Sequence, residues 1–207
     1  MVNGFIIKCI HSVVQTILNS EEEIESLDRA IGDGDHYINI KRGSMAVQSI
    51  ESELTNLPPD QAFKKIGMTL MTSVGGASGP LFASFFLALA KEIKSETNLQ
   101  QFSKGFTSGV KSIMDRGKSK LGDKTMLDVL IPVSEKLQLL ANEGCEKQEL
   151  IKEIDSIAMA GVIATKDMMP SKGRSAGLAE RAIGHIDPGA KTCQLIISTV
   201  CNELKLN

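Results

Sequence analysis

The stretch Phe5-Ile-Ile-Lys-Cys-Ile-His-Ser-Val-Val-Gln-Thr-Ile17 shows the pattern that decides the fold. Its apolar residues recur every three or four positions, as on one face of an amphipathic helix. The same spacing returns at Leu99, Phe102, Phe106, Val110 and Ile113, at Leu150, Ile154, Ile157, Ala158, Gly161 and Val162, and at Ile196, Ile197, Val200 and Leu204. Alternating β-branched residues, which would favour strands, are almost absent. The pattern therefore predicts one all-α domain over residues 1–207.

The composition is ordinary for a soluble globular protein, with 42% hydrophobic and 23% charged residues. A net charge of −2 without a long basic run argues against a nucleic-acid partner. The most apolar run, residues 81–90, is shorter than the roughly 20 residues that span a bilayer, so it predicts a helix buried on every side. The N-terminus lacks signal-peptide features, and no C-x-x-C pair occurs among the four cysteines. We therefore expect a cytoplasmic protein with reduced thiols and no membrane partner.

Helix ends are marked by residues with capping preferences. Ser20 and Glu23 fit a capping box. Pro80 is predicted at the first position of a helix, and Asp187 is predicted to cap a helix that begins at Pro188. Between the helices lie loops rich in glycine, proline and aspartate, at residues 31–35, 75–80, 116–125, 170–177 and 184–189. Such loops, several of which lead into helix N-termini that favour phosphate, are where chemistry is expected.

Three aspartates, Asp28, Asp33 and Asp35, fall within eight residues. Carboxylates this close repel one another unless a cation lies among them, and hard oxygen ligands suit Mg²⁺. Gly32 and Gly34 would let the backbone fold tightly enough to bring the oxygens together. A turn with Asx capping of the next helix explains the same residues equally well. An EF-hand calcium loop is disfavoured, because the further oxygen ligands it needs are missing.

Other loops offer groups that suit phosphate, each with a structural alternative. Residues 73–80 are predicted to form a loop of small residues whose backbone could approach a phosphate, with help from the Ser78 hydroxyl. Taken alone, the loop is better explained as a tight helix–helix connection. Arg174 could fork onto phosphate oxygens or lie in a solvated basic turn. His36 could donate to a phosphate or serve as a structural hydrogen-bonding group. Neither a P-loop nor a Rossmann fingerprint is present.

The segments Ile31-Gly-Asp-Gly-Asp-His36, Gly76-Ala-Ser-Gly-Pro-Leu-Phe82, Gly122-Asp-Lys-Thr-Met126, Lys172-Gly-Arg174 and Gly184-His-Ile-Asp-Pro-Gly-Ala190 occur in that order. Together they resemble the nucleotide-binding L subunit of dihydroxyacetone kinase. Each segment is weak alone, but the combination is specific and spans nearly the whole chain. The resemblance implies a closed barrel of about eight antiparallel helices, with the nucleotide site in loops at one end.

The resemblance also implies roles for individual residues. Asp28, Asp33 and Asp35 would hold two Mg²⁺ ions that bridge the phosphates of ADP or ATP. Arg174 would be catalytic, because it would neutralise charge on the transferred phosphoryl group. The residues implied to bind the nucleotide are His36, Tyr37, Asn39, Ala77, Ser78, Gly117, Met126, Arg174, Asp187, Pro188 and Gly189.

This chain departs from the family pattern immediately after the aspartates. The family usually reads His-Gly-x-Asn-Met, whereas this chain reads His36-Tyr-Ile-Asn-Ile40. If the family's glycine serves a left-handed backbone conformation, Tyr37 at that position would strain the loop.

The implied activity is phosphoryl transfer to dihydroxyacetone, which a separate K subunit binds covalently through a histidine. The implied donor is the phosphocarrier M subunit of the bacterial phosphotransferase system, which would rephosphorylate a retained ADP with phosphate from phosphoenolpyruvate. Three alternatives remain open: an ATP-exchanging kinase subunit for this or a related small ketose, a non-catalytic nucleotide-binding regulator, and the nucleotide domain of a fatty acid kinase. The His36 and 184–190 segments fit the last of these less well. A homodimer also remains open.

Overall fold

The structure is a computed structural model that describes residues 2–94 and 96–206, apart from the side chains of Val2, Asn3 and Arg174. Ten α-helices follow one another: α1 Val2–Asn19, α2 Glu21–Ile31, α3 His36–Ser49, α4 Glu51–Leu54, α5 Pro59–Ser73, α6 Ser78–Glu92, α7 Leu99–Gly117, α8 Leu127–Glu143, α9 Lys147–Ala164 and α10 Pro188–Lys205. Two 3₁₀-helices, Thr165–Asp167 and Arg174–Ala182, lie between α9 and α10. Strands are absent from the described residues, so the all-α prediction is confirmed. No helix in that part of the chain has the length and apolar character needed to cross a membrane.

Eight long helices form a closed ring in the order α1, α3, α5, α6, α7, α8, α9, α10 and back to α1. The first and last helices close the ring through two side-chain hydrogen bonds. Ser12 Oγ donates to Glu203 Oε1 at 2.6 Å, and the hydroxyls of Thr16 and Thr199 lie 2.9 Å apart. Helix α2 lies outside this order and packs against α3, α10 and the 3₁₀-helix Arg174–Ala182. The predicted helical barrel is therefore confirmed.

The apolar helix faces predicted from the sequence form the core of the ring. The largest cluster includes Leu89, Ile113, Leu127, Val129 and Ile151, each 2% exposed or less. Over residues 81–90 of α6 no side chain is fully exposed, but only Ala83, Phe85 and Leu89 are buried and the other seven residues are half-buried, so the helix is not buried on every side as the apolar run predicted. Burying one such side chain fully stabilises the fold by about 1.5–3 kcal/mol, so these contacts hold the ring together.

One predicted helix cap is absent, and a different one is present. The Ser20 side chain makes no capping hydrogen bond to α2, so the predicted capping box from Ser20 to Glu23 is wrong. Ser20 has φ −102° and ψ 16°, outside the extended conformation that an N-cap usually adopts. The capping box lies instead at α7, where Asn98 Oδ1 accepts from Gln101 N at 2.9 Å and Gln101 Oε1 accepts from Asn98 N at 3.4 Å. An Asn-x-x-Gln pattern was therefore the better signal.

The two prolines expected at helix starts differ in their outcome. Asp187 caps α10 as predicted, because its Oδ2 accepts from Ala190 N at 2.7 Å and Pro188 is the first helical residue. Pro80 is the third residue of α6 rather than the first, so that prediction is wrong. Ala77 already has helical dihedral angles, and the helix therefore begins at Ser78. Ala77 and Ser78, rather than the proline, therefore lie at the N-terminal end of α6.

The 3₁₀-helix Arg174–Ala182 contains a strained residue, Ala179, with φ 48° and ψ −126°. Such backbone conformations cost a non-glycine residue about 1–3 kcal/mol. We expect Ala179→Gly to raise the free energy of unfolding by about 1 kcal/mol, because the lost strain outweighs the extra freedom of glycine in the unfolded chain. A thermal melt should show a rise of about 2–4 °C.

The matched control is Ala176→Gly in the same 3₁₀-helix, at a residue without positive φ. This variant should melt at a lower temperature than the wild type, because glycine there only adds freedom to the unfolded chain. An equal fall in both variants would contradict the strain at Ala179.

Candidate functional site

A cavity of about 570 Å³ opens at one end of the ring, among the loops that the sequence marked. Its volume lies within the range of roughly 300–1,000 Å³ that is usual for small-molecule sites. The lining includes most of the residues predicted to contact a nucleotide: His36, Ala77, Ser78, Gly117, Met126, Asp187, Pro188 and Gly189. Asp28 and Gly32 of the aspartate-rich loop line the same cavity. Loops far apart in sequence thus meet at one site.

The three aspartates converge beside this cavity. One carboxylate oxygen from each of Asp28, Asp33 and Asp35 lies within 4.8 Å of the others. Asp28 is buried, with its Oδ2 accepting from His36 N at 2.9 Å, while its Oδ1 is buried without a hydrogen-bond partner among the described residues. A capped turn accounts for Oδ2 but leaves Oδ1 unpaired at considerable cost. A cation supplies the partner that Oδ1 needs, so these residues fit a metal site.

Gly32 makes this convergence possible. A Cβ atom at residue 32 would lie 1.9 Å from Asp28 Oδ1, closer than any side chain could tolerate. The Gly32 amide also donates to the Asp28 carbonyl at 2.6 Å, which ends α2 in a tight turn. Only glycine therefore allows the loop to fold back over the buried carboxylate.

His36 joins the aspartate-rich loop to α10. Its Nε2 lies 2.9 Å from Thr192 Oγ1, and the Thr192 hydroxyl in turn donates to the Pro188 carbonyl at 2.9 Å. Because Thr192 uses its proton on Pro188, His36 must donate from Nε2. All three residues are buried, so this chain of hydrogen bonds fixes the first turn of α10 relative to the aspartates.

Tyr37 does not lie among the cavity-lining residues. Its ring packs in a core cluster with Ile17, Ile24 and Ile40, and its hydroxyl donates to Glu21 Oε2 at 2.8 Å. Burial, together with Glu21, raises the pKa of Tyr37 to about 12. Its backbone is helical at the second position of α3, and it is not among the described residues with positive φ. The strain considered for Tyr37 is therefore absent.

Asn39 is also set back from the cavity lining. Its Oδ1 accepts from Arg42 Nη2 at 2.5 Å, and Arg42 Nε donates to the Ser73 carbonyl at 2.7 Å. A Cβ atom at Gly75 would lie 2.5 Å from Asn39 Oδ1, so the loop before α6 passes directly over this pair. In this structure Asn39 supports the loop that carries Ala77 and Ser78.

Asp187 is both a helix cap and a cavity-lining group. Burial raises its pKa to about 7, although the Ala190 amide hydrogen bond favours the charged form. Asp128 raises the pKa further, and Lys124 opposes the rise. The cavity therefore contains a carboxyl group that titrates near neutral pH.

Lys124 holds a structural position beside the cavity that the residue patterns alone did not reveal. It is fully buried, with φ 60°, and its Nζ donates to the carbonyls of Thr165 at 2.5 Å, His185 at 2.6 Å and Lys166 at 3.3 Å. Burial lowers the pKa of Lys124, and three aspartates, of which Asp187 acts most strongly, oppose that shift. The ammonium group thus joins three loops around the cavity. Lysine is usually a surface residue, and no sequence signal placed these carbonyls near it.

Two further aspartates shape the loop that carries Lys124. Asp128 accepts from Gly122 N at 2.6 Å and from Thr125 N at 2.7 Å. Asp123 accepts from Lys120 N at 2.8 Å and from the hydroxyl of Ser171. Burial alone would raise the pKa of Asp123, but these hydrogen bonds hold it below its usual value. The loop before α8 is therefore rigidly attached to the loop at residues 168–173.

The side chain of Arg174 lies outside the described part of the chain, so the roles predicted for it stay predictions. Its neighbours Lys172, Gly173 and Ser175 line the cavity. The segment that carries Arg174 is therefore at the site, as the sequence suggested.

The chain is similar to kinase subunits over nearly its whole length. The model of the DAK2 domain family matches residues 30–202. Identity is 38% over 192 residues to the ADP-binding subunit DhaL of the PEP-dependent dihydroxyacetone kinase of Escherichia coli (strain K12), covering 91% of each chain. It is 37% over 193 residues to the ADP-binding subunit DhaL of PEP-dependent dihydroxyacetone kinase 2 of Listeria innocua, covering 91% of this chain and 89% of that protein.

Larger proteins contain a similar region. The chain is 30% identical over 197 residues to the triokinase/FMN cyclase of Homo sapiens, covering 95% of this chain but 34% of that protein. The crystal structure of the dihydroxyacetone kinase from C. freundii in complex with AMP-PNP and Mg²⁺ gives a TM-score of 0.75 at 24% identity, covering 95% of this chain and 33% of that one. This last similarity shows a shared fold.

Proposed function

Because the chain belongs to the DAK2-domain family, with the ADP-binding L subunits of dihydroxyacetone kinases, we propose that it carries a nucleotide through which a phosphoryl group reaches dihydroxyacetone. The observation that carries this proposal is the meeting, in one cavity, of a buried unpaired carboxylate oxygen with the N-termini of α6 and α10. The start of α6, which no side chain caps, presents amide groups that favour phosphate, while the aspartates favour the cation that accompanies it.

The aspartates are proposed to hold two Mg²⁺ ions. When bound, Mg²⁺ would offset the negative charge of the phosphate oxygens. Asp28 is held in place for this role by the His36 amide, while Asp33 is exposed and Asp35 partly exposed at the mouth of the loop. The Asp28 carboxylate is thus preorganised, and the other two carboxylates remain accessible to solvent.

The rest of the cavity suits the nucleotide. Apolar side chains from Leu81, Ile113, Met126 and Leu127 line it and would accept the adenine base, a role that suits the adaptable thioether of Met126. Ala77 and Ser78, at the start of α6, lie with the aspartates and would meet the phosphates. Arg174 would reach the transferred phosphoryl group from the segment beside Lys172 and neutralise its charge.

The proposed cycle requires two other subunits. A K subunit would hold dihydroxyacetone, and the phosphocarrier M subunit of the phosphotransferase system would rephosphorylate the bound ADP. In this chain the hydrogen bonds of His36 and Lys124 would hold the cavity loops in position for the transfer. Positioning of the reacting groups would supply most of the rate.

Extensive dialysis followed by quantification of bound nucleotide tests the coenzyme model. We expect about one ADP per chain to remain. Rapid loss of ADP would favour an ATP-exchanging kinase subunit instead. In a parallel assay, sugar phosphate should form from phosphoenolpyruvate only when the K subunit, the phosphocarrier subunit and the general carrier proteins are all present.

Nucleotide binding without sugar phosphate in that assay would favour a regulatory module. Tyr37 was the residue that kept this alternative open. Its backbone is helical and its ring packs in the core rather than in the cavity lining, so the structure offers no separate support for the regulator.

A further inference from the structure

Three buried side-chain atoms in the described residues lack a hydrogen-bond partner: Asp28 Oδ1, Ser175 Oγ and Gln194 Oε1. Two of them, on Asp28 and Ser175, belong to residues that line the same cavity. Ser175 is only 3% exposed, so its hydroxyl is largely withdrawn from bulk solvent at the edge of the cavity. A buried hydroxyl left unpaired costs about 1–3 kcal/mol, and native proteins seldom keep one without a reason.

The segment that leads to Ser175 is attached to the loop before α8. The preceding Ser171 is bonded to Asp123 through both its amide, at 3.3 Å from the Asp123 carbonyl, and its hydroxyl. Gly173 lies against Thr125, since a Cβ atom there would be 3.7 Å from Thr125 Cγ2. The 3₁₀-helix that carries Ser175 packs against α2, the helix of Asp28. Ser175 therefore lies in a segment that packs against the helix of Asp28, and both residues line the same cavity.

The two unpaired atoms need opposite partners. A carboxylate oxygen can only accept, so Asp28 Oδ1 needs a cation or a donor, whereas the Ser175 hydroxyl can donate to an anionic oxygen. A phosphate group that brings its own divalent cation satisfies both atoms. We propose that the Ser175 hydroxyl donates a hydrogen bond to a phosphate oxygen of the Mg²⁺-bound nucleotide, an inference that rests on the proposed function.

The test is Ser175→Ala, measured by calorimetry with Mg²⁺-ADP and with adenosine, and by thermal melting without ligand. We expect ADP affinity to fall about tenfold or more, as for a hydrogen bond to a charged acceptor, and adenosine affinity to stay unchanged. The melting temperature without ligand should stay the same or rise, because the variant removes an unpaired buried group.

Ser134→Ala is the matched control. Ser134 is also buried, but its hydroxyl lies 2.9 Å from Thr107 Oγ1, away from the cavity lining. This control should melt at a lower temperature and bind ADP normally.

Each other outcome overturns the proposal. Unchanged ADP affinity in Ser175→Ala would show that Ser175 makes no contact with the nucleotide. An equal loss of affinity for adenosine would show that the contact is with the nucleoside rather than with the phosphates. A fall in melting temperature like that of Ser134→Ala would indicate a structural role. Failure of the wild-type protein to bind ADP would overturn the proposed function together with this contact. That outcome differs from one in which the wild type binds ADP and only the Ser175 contact is contradicted.

Discussion

Replacing Asp33 with alanine is expected to weaken Mg²⁺-ADP binding about 100-fold or more while the protein stays folded. Asp33 is exposed in the loop between α2 and α3, so little packing is lost, and removing one of three close carboxylates relieves mutual repulsion. The loss of affinity follows because one of the oxygen ligands of the cation disappears, and even indirect partners of a metal contribute about 10–100-fold.

Calorimetric titration with ADP, in Mg²⁺ and again in a chelator, measures this effect. The variant and the wild type should differ in Mg²⁺ and converge in the chelator. Asp115→Ala is the matched control, because Asp115 is an exposed carboxylate of α7 paired with Lys111 at 3.3 Å and absent from the cavity lining. Unchanged Mg²⁺-ADP affinity in Asp33→Ala would contradict the metal assignment.

The Lys124→Met variant is expected to lose about 3 kcal/mol of unfolding free energy and to melt about 6–12 °C lower. Methionine has a similar length but cannot donate, so the carbonyls of Thr165, Lys166 and His185 lose their common partner. The loss is smaller than the sum of three buried hydrogen bonds, because burial of the ammonium group is itself unfavourable. Nucleotide affinity should also fall, because the loop of His185, which leads into the cavity-lining Asp187, loses its bond to Lys124.

Chemical denaturation and thermal melting measure the first effect, and calorimetry measures the second. Lys120→Met is the matched control, because Lys120 is an exposed lysine of the same loop. Its melting temperature should change by no more than a degree or two. A similarly small change in Lys124→Met would mean that the three carbonyls do not depend on this residue.

The long helices could be predicted from the sequence because each depends on the local periodicity of its apolar residues. The apolar face of residues 5–17 packs as expected, since burial of a stripe leaves a direct trace in the sequence. The run at 81–90 forms a helix but is only half-buried at most positions, because apolar composition alone does not fix how many neighbours cover a helix. The ring itself was implied by the family resemblance rather than by periodicity. The cap at Ser20 failed because a favourable residue type does not ensure the extended backbone that capping requires.

The candidate site was only partly predictable for a related reason. Asp28, Asp33 and Asp35 are neighbours in sequence, so their convergence is a local matter. Lys124 acts on carbonyls more than forty residues away along the chain, which no local pattern can reveal. Tyr37 shows the converse case: its position beside the aspartates suggested the site, but the helical rotation of α3 directs it into the core.

The closure of the ring between α1 and α10 bears on the order in which the protein folds. The residues joined by the bonds from Ser12 to Glu203 and from Thr16 to Thr199 lie 191 and 183 positions apart. Contacts of such high sequence separation form slowly, because the entropy cost of closing a long loop must be met before the contacts can stabilise the fold. Helix α10 also carries Pro188 and Gly189 of the cavity lining, so a growing chain on the ribosome has no complete cavity until its last long helix docks. Nucleotide binding would then report that folding has finished.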